Sequence, residues 1–310
     1  MTATPFGALA VIANPNAGRG RVGRELSALE RGLTTRGLEY SLQVTEGPGH
    51  ATLLAAAAMD AGRRFLVAVG GDGTVQEVVN GMFRDGHPIV DEPVLGVVPA
   101  HSGCDLVKSF GLPGDVDSAC GHLVGDNTYP FDVVKVMFIT PGGDREIRYS
   151  VNLAEVGFGA AFARRIERLP AWTGGARPFL AFWSTFVRTR VRDVSIEADR
   201  GSYQGPAFNV IVGNAQFAAG GLRLSPRSFP GDGVLDVLIF KGPRSDAYTL
   251  LPRIYRHGDH IPDPHIKEMR AKIRVSVDAD RPLPIVADGG PMGTTPATFQ
   301  MIPRSILLKL

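Results

Sequence analysis

Cysteine is scarce. Two thiols in 310 residues, Cys104 and Cys120, cannot make a disulfide framework, and neither belongs to a C-x-x-C pair, which argues against structural zinc. Charge of one sign is lacking too: 33 basic and 31 acidic residues leave a formal net charge of +2. No global field points to nucleic acid, so none is expected as a partner. Long apolar runs are absent, with nothing near the roughly 18 residues needed to span a bilayer. The nearest approach is Pro178 to Val187, flanked by Arg177, Arg188, Arg190 and Arg192. Aromatics beside arginines can rest on a membrane surface, but the plainer expectation is a core helix with a basic end. Met1 to Pro5 lacks the basic start of a signal peptide, so a reducing cytoplasm is expected. Neither G-x-S-x-G nor G-x-x-x-x-G-K-[ST] occurs, which leaves no case for a hydrolase elbow or a Walker loop.

What is present is an ordinary globular composition, 44% apolar and 21% charged, in a chain long enough for two domains at roughly 150 residues each. The stretch around which the rest is organised is Phe65 to Met82, FLVAVGGDGTVQEVVNGM. Its apolar opening reads as a strand buried on both faces. Gly70, Gly71 and Gly73 are expected to turn the chain through positive φ and bring backbone N–H groups near a ligand. Thr74 and Glu77 have the spacing of a capping box for a helix carrying Val75, Val78, Val79 and Met82 on one face. Strand, glycine turn and helix together make a phosphate site. Asp72 in that turn would repel phosphate by about 4 kcal/mol for unit charges 4 Å apart at an effective dielectric of 20. It therefore implies a cation, or a carboxylate bonded to the attacking hydroxyl.

The same pattern repeats before and after. Ala8 to Ala13, Tyr40 to Thr45 and Val94 to Val98 are further strands, with helices over Val22 to Leu33 and Thr52 to Ala61. Alternating β and α elements imply a parallel sheet with ligands at the carboxyl ends of its strands. The turns there are Asn14 to Gly20, Thr45 to His50, Gly70 to Thr74 and Pro99 to Asp105. Gly18, Gly20 and Gly23 also spell G-x-G-x-x-G, with Glu39 at the distance of a ribose-binding acid, a weak dinucleotide signal beside the second glycine site.

From about Phe131 the strands follow one another with hairpin punctuation: Phe131 to Ile139, Glu146 to Leu153, Asp193 to Ala198, Ala207 to Gly213, Val234 to Phe240, Ile273 to Val277 and Pro284 to Ala287. One helical stretch is expected around Ala160 to Val191. The fold class is an α/β N-terminal domain with a parallel sheet plus a mostly antiparallel β-sandwich C-terminal domain. The expected domains are 1–129, binding nucleotide, and 130–299, β-rich and binding lipid, with residues 300–310 packing back on the first. His257, His260 and His265 with Asp259 and Asp263 are read as a solvated loop, since Pro262 and Pro264 break any helix that would align them.

The ordered set of motifs resembles the bacterial diacylglycerol kinase and sphingosine kinase-like lipid kinases. Its pieces are Asn14-Pro15 with Gly18, Thr45 to Ala51, Gly70 to Thr74 with Glu77, Asn80 and Gly81, Ser102-Gly103-Cys104-Asp105, Asp132 with Lys135, Gly213-Asn214, Asp232 to Asp236 and Asp288-Gly289. The resemblance implies transfer of the γ-phosphoryl group of ATP, with Mg²⁺, to a lipid hydroxyl, and a place in lipid metabolism. It carries nucleotide contacts over to Asn14, Pro15, Asn16, Ala17, Gly18, Thr45, Gly70, Gly71, Asp72, Gly73, Thr74, Val75, Gln76, Glu77 and Ser102. It also implies Asp72, Asp105 and Asp132 around the catalytic Mg²⁺, and Asp232 with the Val234 carbonyl as remnants of a structural Mg²⁺ loop. Phe229 stands at one ligand position of that loop, so this second ion is expected to be weak or missing.

In the family the late motif is Asp-Gly-Glu, with Glu as the base. Here it is Asp288-Gly289-Gly290. Asp288 could take over, making Asp72, Asp105, Asp132 and Asp288 the candidate catalytic set. Two other readings stay open: an NAD kinase-like enzyme sharing the GGDGT turn, and an ATP-binding protein with weak or no transfer because of Gly290. The lipid partner would be met at the membrane surface by a cytoplasmic chain. The oligomeric state is left open, a homodimer included.

Overall fold

A computed structural model of the chain describes residues 3–99, 104–256 and 258–310. It divides into two compact units: Met1–Val133 with Pro230–Asp232 and Ile302–Leu310, and Val134–Phe229 with Gly233–Met301.

The first unit alternates β1 (Leu9–Ala13), α1 (Ala17–Thr35), β2 (Tyr40–Val44), α2 (His50–Asp60), β3 (Phe65–Gly70), α3 (Asp72–Met82) and β4 (Val94–Pro99). The strands are parallel in the order β2–β1–β3–β4, and Leu307 and Leu308 of the last strand pair with Val94 and Leu95 in parallel. Every residue of β1, β3 and β4 is buried, which is why these segments are unbroken apolar runs, while edge strand β2 is partly exposed. Chain order reverses between β1 and β3, so the loops leaving these two strands border the switch point where open α/β sheets bind ligands. Two short helices follow, α4 (Asp105–Phe110) and α5 (Val116–Gly121), the second capped by Asp115, whose side chain accepts from the Ser118 N–H at 2.9 Å. The core joins Val11, Val67 and Val98 of the sheet to Leu29 and Leu33 of α1 and to Cys120 of α5.

The second unit takes β5 (Thr128–Ile139) from residue 134 onward, β6 (Arg145–Ser150), β7 (Leu153–Gly157), α6 (Phe158–Arg168), a 3-10 turn (Ala171–Ala176) and α7 (Arg177–Arg188). It continues with β8 (Arg192–Ala198), β9 (Gly201–Ala207), β10 (Asn209–Gly213), β11 (Leu235–Phe240), α8 (Asp246–Thr249), α9 (Leu251–Arg256), β12 (Ile266–Ala271), β13 (Arg274–Ala279), β14 (Pro284–Ala287) and β15 (Gly290–Lys309), the last up to Met301. The strands pair antiparallel in the order β12–β11–β10–β7–β14–β15–β13–β8–β9, with β5 and β6 as a hairpin. Val156, Val210 and Val237 share one core with Ile196, Val277 and Phe299.

The expected single helix over 160–191 is three pieces. Pro170 lacks the N–H an uninterrupted helix would need, and Gly174 sits at φ 50°, ψ −129°. The run Glu146 to Leu153 splits into β6 and β7, and strands β9 and β12 carry too mixed a pattern to announce themselves. The expectation of a core helix at Pro178–Val187 is overturned. In α7 only Ala181 and Thr185 are buried, whereas Phe179 (64%), Trp183 (38%) and Val187 (67%) are exposed. Its apolar residues surround the helix, and neighbours cover one i, i+4 stripe. His260 is fully buried, stacked on Phe240 with Nε2 3.1 Å from the Leu224 carbonyl, so the loop that carries it is not solvated there; His257 lies outside the described residues.

Candidate active site

In the first unit the loops after β1, β2 and β3 enclose a cavity of about 370 Å³ walled by Asn14, Asn16, Ala17, Gly18, Gly47, Pro48, Gly71, Gly73, Thr74 and Glu77. Asn14 fixes its floor. Its Nδ2 donates to Thr74 Oγ1 at 3.2 Å, tying the end of β1 to the first turn of α3, and its Oδ1 accepts from the Asn16 N–H at 3.1 Å. Gly18, Arg19 and Gly20 are all left-handed (φ 60°, 58°, 79°), the sharp turn that the glycines there allow. Gly23, third of the G-x-G-x-x-G glycines, serves packing: a Cβ there would sit 3.1 Å from the Pro15 carbonyl oxygen.

The GGDGT turn works differently from the sequence expectation. None of Gly70, Gly71 and Gly73 has positive φ, and Gly71 is extended at φ −101°, ψ −171°. At Gly70 the reason for glycine is steric, since a Cβ would lie 2.4 Å from Thr74 Oγ1 and 2.6 Å from its Cβ. Gly73 faces open space, with nothing within 4 Å of the Cβ it lacks. The expected capping box is also absent. Gly71 is the N-cap of α3, placing Thr74 inside the helix, and Glu77 reaches across to α2, where Oε1 accepts from the Gly49 N–H at 2.9 Å and Oε2 from the Ala51 N–H at 3.2 Å. Thr52 Oγ1 donates to the Glu77 carbonyl at 2.9 Å. Glu77 thus positions the loop Thr45 to Ala51 by capping a neighbouring helix.

Of the other expected nucleotide residues, Pro15 underlies Gly23, Val75 is fully buried in the core, and Thr45 and Gln76 are buried away from the cavity lining. Ser102 lies outside the described residues. Asp72 is in contact with Asp105: its Oδ1 accepts from the Asp105 N–H at 2.8 Å and lies 3.4 Å from both the Leu106 N and Cys104 Sγ. Burial pushes the proton affinity of Asp72 up, and these hydrogen bonds offset part of that. The Cys104 thiol is pushed far up by burial and by Asp72, leaving it inert packing.

The expected metal trio needs correction. Among the described residues no three His, Cys, Asp or Glu side chains gather to hold an ion. Asp132 is fully buried and occupied otherwise, Oδ2 accepting from the Gly231 N–H at 2.8 Å and Oδ1 from the Arg304 N–H at 2.7 Å. It thereby fastens the returning segments 230–232 and 302–310 to the first unit. Asp232 lies beside Tyr129, whose phenol is pushed up by burial and then by Asp132 and Asp232. Val234 belongs to the second unit.

Asp288 also lies in the second unit, at φ 49°. Its Oδ1 accepts from Ser150 Oγ and the Asn152 N–H, both at 2.9 Å, and its Oδ2 from the Val151 N–H at 2.8 Å. Three donors on two oxygens make this carboxylate a clamp on the β6–β7 corner.

The second unit holds an apolar cavity of about 510 Å³, lined chiefly by aromatic rings including Phe158, Phe162, Phe182, Trp183, Phe208 and Phe240. Glu155 and Asn209 are on its wall. Asn209 Nδ2 donates to Glu155 Oε2 at 3.1 Å, and Asn209 Oδ1 accepts from the Gly159 N–H at 3.0 Å. Burial drives the Glu155 carboxyl upward in pKa. Sequence reasoning passed over Glu155, although one acid in the apolar strand Leu-Ala-Glu-Val-Gly was a visible anomaly.

No helix among the described residues is long and apolar enough to cross a membrane. Residues 8–136 match the diacylglycerol kinase catalytic domain, and residues 152–309 match the YegS C-terminal NAD kinase beta sandwich-like domain. A diacylglycerol kinase of Bacillus subtilis is 27% identical over 298 residues, covering 96% of this chain and 94% of the relative. One from Staphylococcus aureus is 27% identical over 297 residues, 96% of this chain and 90% of the relative. A crystal structure of a putative diacylglycerol kinase from Bacillus anthracis superposes with a TM-score of 0.77 at 20% identity, over 98% of this chain and 95% of that one, which establishes the shared fold. With both halves matched in order, the chain belongs to the family that joins a diacylglycerol kinase catalytic domain to a YegS-type C-terminal β-sandwich.

Proposed function

We propose that the chain is an ATP-dependent lipid kinase that phosphorylates a hydroxyl of a diacylglycerol-like or sphingosine-like lipid. The observation that carries the reading is the cavity at the start of α3, walled by Asn14, Gly18, Gly71, Gly73 and Thr74. A helix of 11 residues directs its positive end there, and the missing Cβ of Gly73 leaves room for phosphate against the backbone. The aromatic cavity of the second unit suits an acyl chain, and the exposed rings of α7 suit contact with a membrane surface.

In this reading the lipid oxygen attacks the γ-phosphorus, the bond to the β,γ-bridging oxygen breaks, and ADP leaves. Asp72 receives the hydroxyl proton. Burial raises its proton affinity, which favours that role, and Gly290 has no side chain to serve instead. Asp72 and Asp105, joined through the Asp105 backbone N–H, would hold a Mg²⁺ brought in on the nucleotide, an ion that takes one or two carboxylates beside the substrate phosphates. When bound, that ion neutralises charge on the transferring group.

The test is incubation of the whole chain with radiolabelled ATP and vesicles containing diacylglycerol or sphingosine, with NAD as the competing acceptor. Label is expected in a phosphorylated lipid, and Asp72→Asn should lower the rate on the order of 10²-fold while ATP still binds. Label only in the nicotinamide product would refute the proposal. Gly290 supports a second reading, weak transfer by an ATP-binding protein. A large rise in turnover for Gly290→Glu favours it, and an unchanged rate favours Asp72 as sufficient.

A further inference from the structure

The second unit contains another cavity, about 590 Å³, whose chemistry is opposite to that of its aromatic neighbour. Arg164, Arg165 and Arg168 reach it from α6. Arg188 and Arg190 reach it from the end of α7 and the segment after it, Arg192 from the start of β8 and Arg281 from the loop between β13 and β14. Basic residues in the last turn of a helix complement its dipole, which would account for Arg165, Arg168 and Arg188. It does not account for Arg190, Arg192 or Arg281, which come from other elements and converge on the same space.

Their charge is poorly matched locally. Arg192 pairs with Asp280 at 3.6 Å, while the other six are in no ion pair among the described residues. Arg164 donates to the Gly293 carbonyl and Arg188 to the Ser184 carbonyl at 3.1 Å, both neutral partners. Burial and Arg168 both lower the pKa of Arg164, with Glu167 a weaker opposing influence. Guanidinium groups gathered in this way repel one another unless an anion lies among them.

A second observation is independent of charge. Thr185 also lines the cavity, is 5% exposed, and its Oγ1 has no hydrogen-bond partner. Its neighbour Thr189 has an outlet, donating through Oγ1 to the Thr185 carbonyl at 2.9 Å. A buried hydroxyl left unsatisfied is costly, so it marks a place where an acceptor belongs. Guanidinium forks and a hydroxyl are the donors that recognise phosphate oxygens. The volume far exceeds that of orthophosphate, and Phe158, Phe208, Pro282 and Leu283 offer apolar wall for an organic body.

From this geometry we infer a binding site for an organic phosphate monoester in the second unit, its phosphoryl group held by Arg164, Arg165, Arg168, Arg281 and Thr185. The site uses no residue of the nucleotide cavity. Its phosphate can be carried by a soluble ester or by a lipid headgroup.

Calorimetric titration of the whole chain with phenyl phosphate tests the soluble source. Flotation with phosphatidylcholine vesicles, with and without phosphatidate, tests the lipid source. The double variant Arg168→Gln/Arg281→Gln alters exposed side chains and keeps the fold, which thermal melting verifies. Thr185→Val preserves shape while deleting the hydroxyl. At least one arm should show binding that weakens on the order of tenfold in the double variant and about fivefold in Thr185→Val, that declines with added salt, and that saturating ATP leaves unchanged. The arm that responds identifies the source. Binding in neither arm, or binding that the variants leave intact or that ATP displaces, overturns the inference.

Discussion

The two units build ligand space from different parts of the chain. In the first, strands buried on both faces leave no side chain to spare, and the cavity is made of loop backbone, glycine and one helix start. In the second, strands such as β8 and β13 alternate buried and exposed positions, and side chains from α6, α7, strands and loops supply aromatic rings to one cavity and arginines to another. Backbone sites depend on what is missing, above all a Cβ. Side-chain sites depend on what is present, so the two should fail under opposite kinds of substitution.

Truncation in the second core should do the most damage. Phe299 is fully buried, and Phe299→Ala is expected to cost about 3–5 kcal/mol in urea unfolding. Next is an acid sensitivity in the first unit. Burial and then Lys309 push His122 down to about 4 from 6.5, and neither ring nitrogen has a hydrogen-bond partner. A depressed histidine favours the folded state while neutral. That contribution is complete above the unfolded value of about 6.5 and is lost as pH falls through about 4, on the order of 3 kcal/mol. His122→Leu should flatten the dependence of the urea midpoint across that window, and an unaltered slope would assign the acid sensitivity to other groups.

Two glycine substitutions sharpen the contrast. At Gly81 a Cβ would stand 2.3 Å from the Thr52 carbonyl oxygen and 2.6 Å from Ala55 Cβ, so α2 and α3 touch through it. Gly81→Ala should cost about 1–3 kcal/mol, read by denaturant titration. Gly73→Ala should do the reverse. Open space above it and its place in α3 predict a gain of about 0.5–1 kcal/mol, while ATP affinity measured by calorimetry drops about tenfold as the methyl enters the phosphate space. A variant that is stabilised and still binds ATP fully would remove Gly73 from the site.

Much of this was legible in the chain. Unbroken apolar runs such as Phe65 to Val69, alternating with helical periodicity, dictate a parallel sheet, and the later hairpin punctuation dictates an antiparallel one, because side-chain burial follows strand and helix periods. The glycine run was visible as the junction of strand and helix. Its mechanism was not: the reason for Gly70 is the Thr74 side chain, and Glu77 serves a helix 26 residues upstream by hydrogen bonding rather than its own. The exposed face of α7 was misread because hydropathy counts residues without saying which will find neighbours.

From residue order alone came the alternation of elements, the two kinds of sheet, the glycine turn and the loss of an acid at Gly290, since each is a property of adjacent residues or of a period. Tertiary structure alone decided that Asp132 and Asp288 accept from backbone N–H groups, that Glu155 faces an aromatic cavity, and that seven arginines drawn from α6, the end of α7 and the segment after it, the start of β8 and the β13–β14 loop converge on one space. These are contacts between segments remote in sequence, set by packing, and no local pattern encodes which charged group will meet a partner.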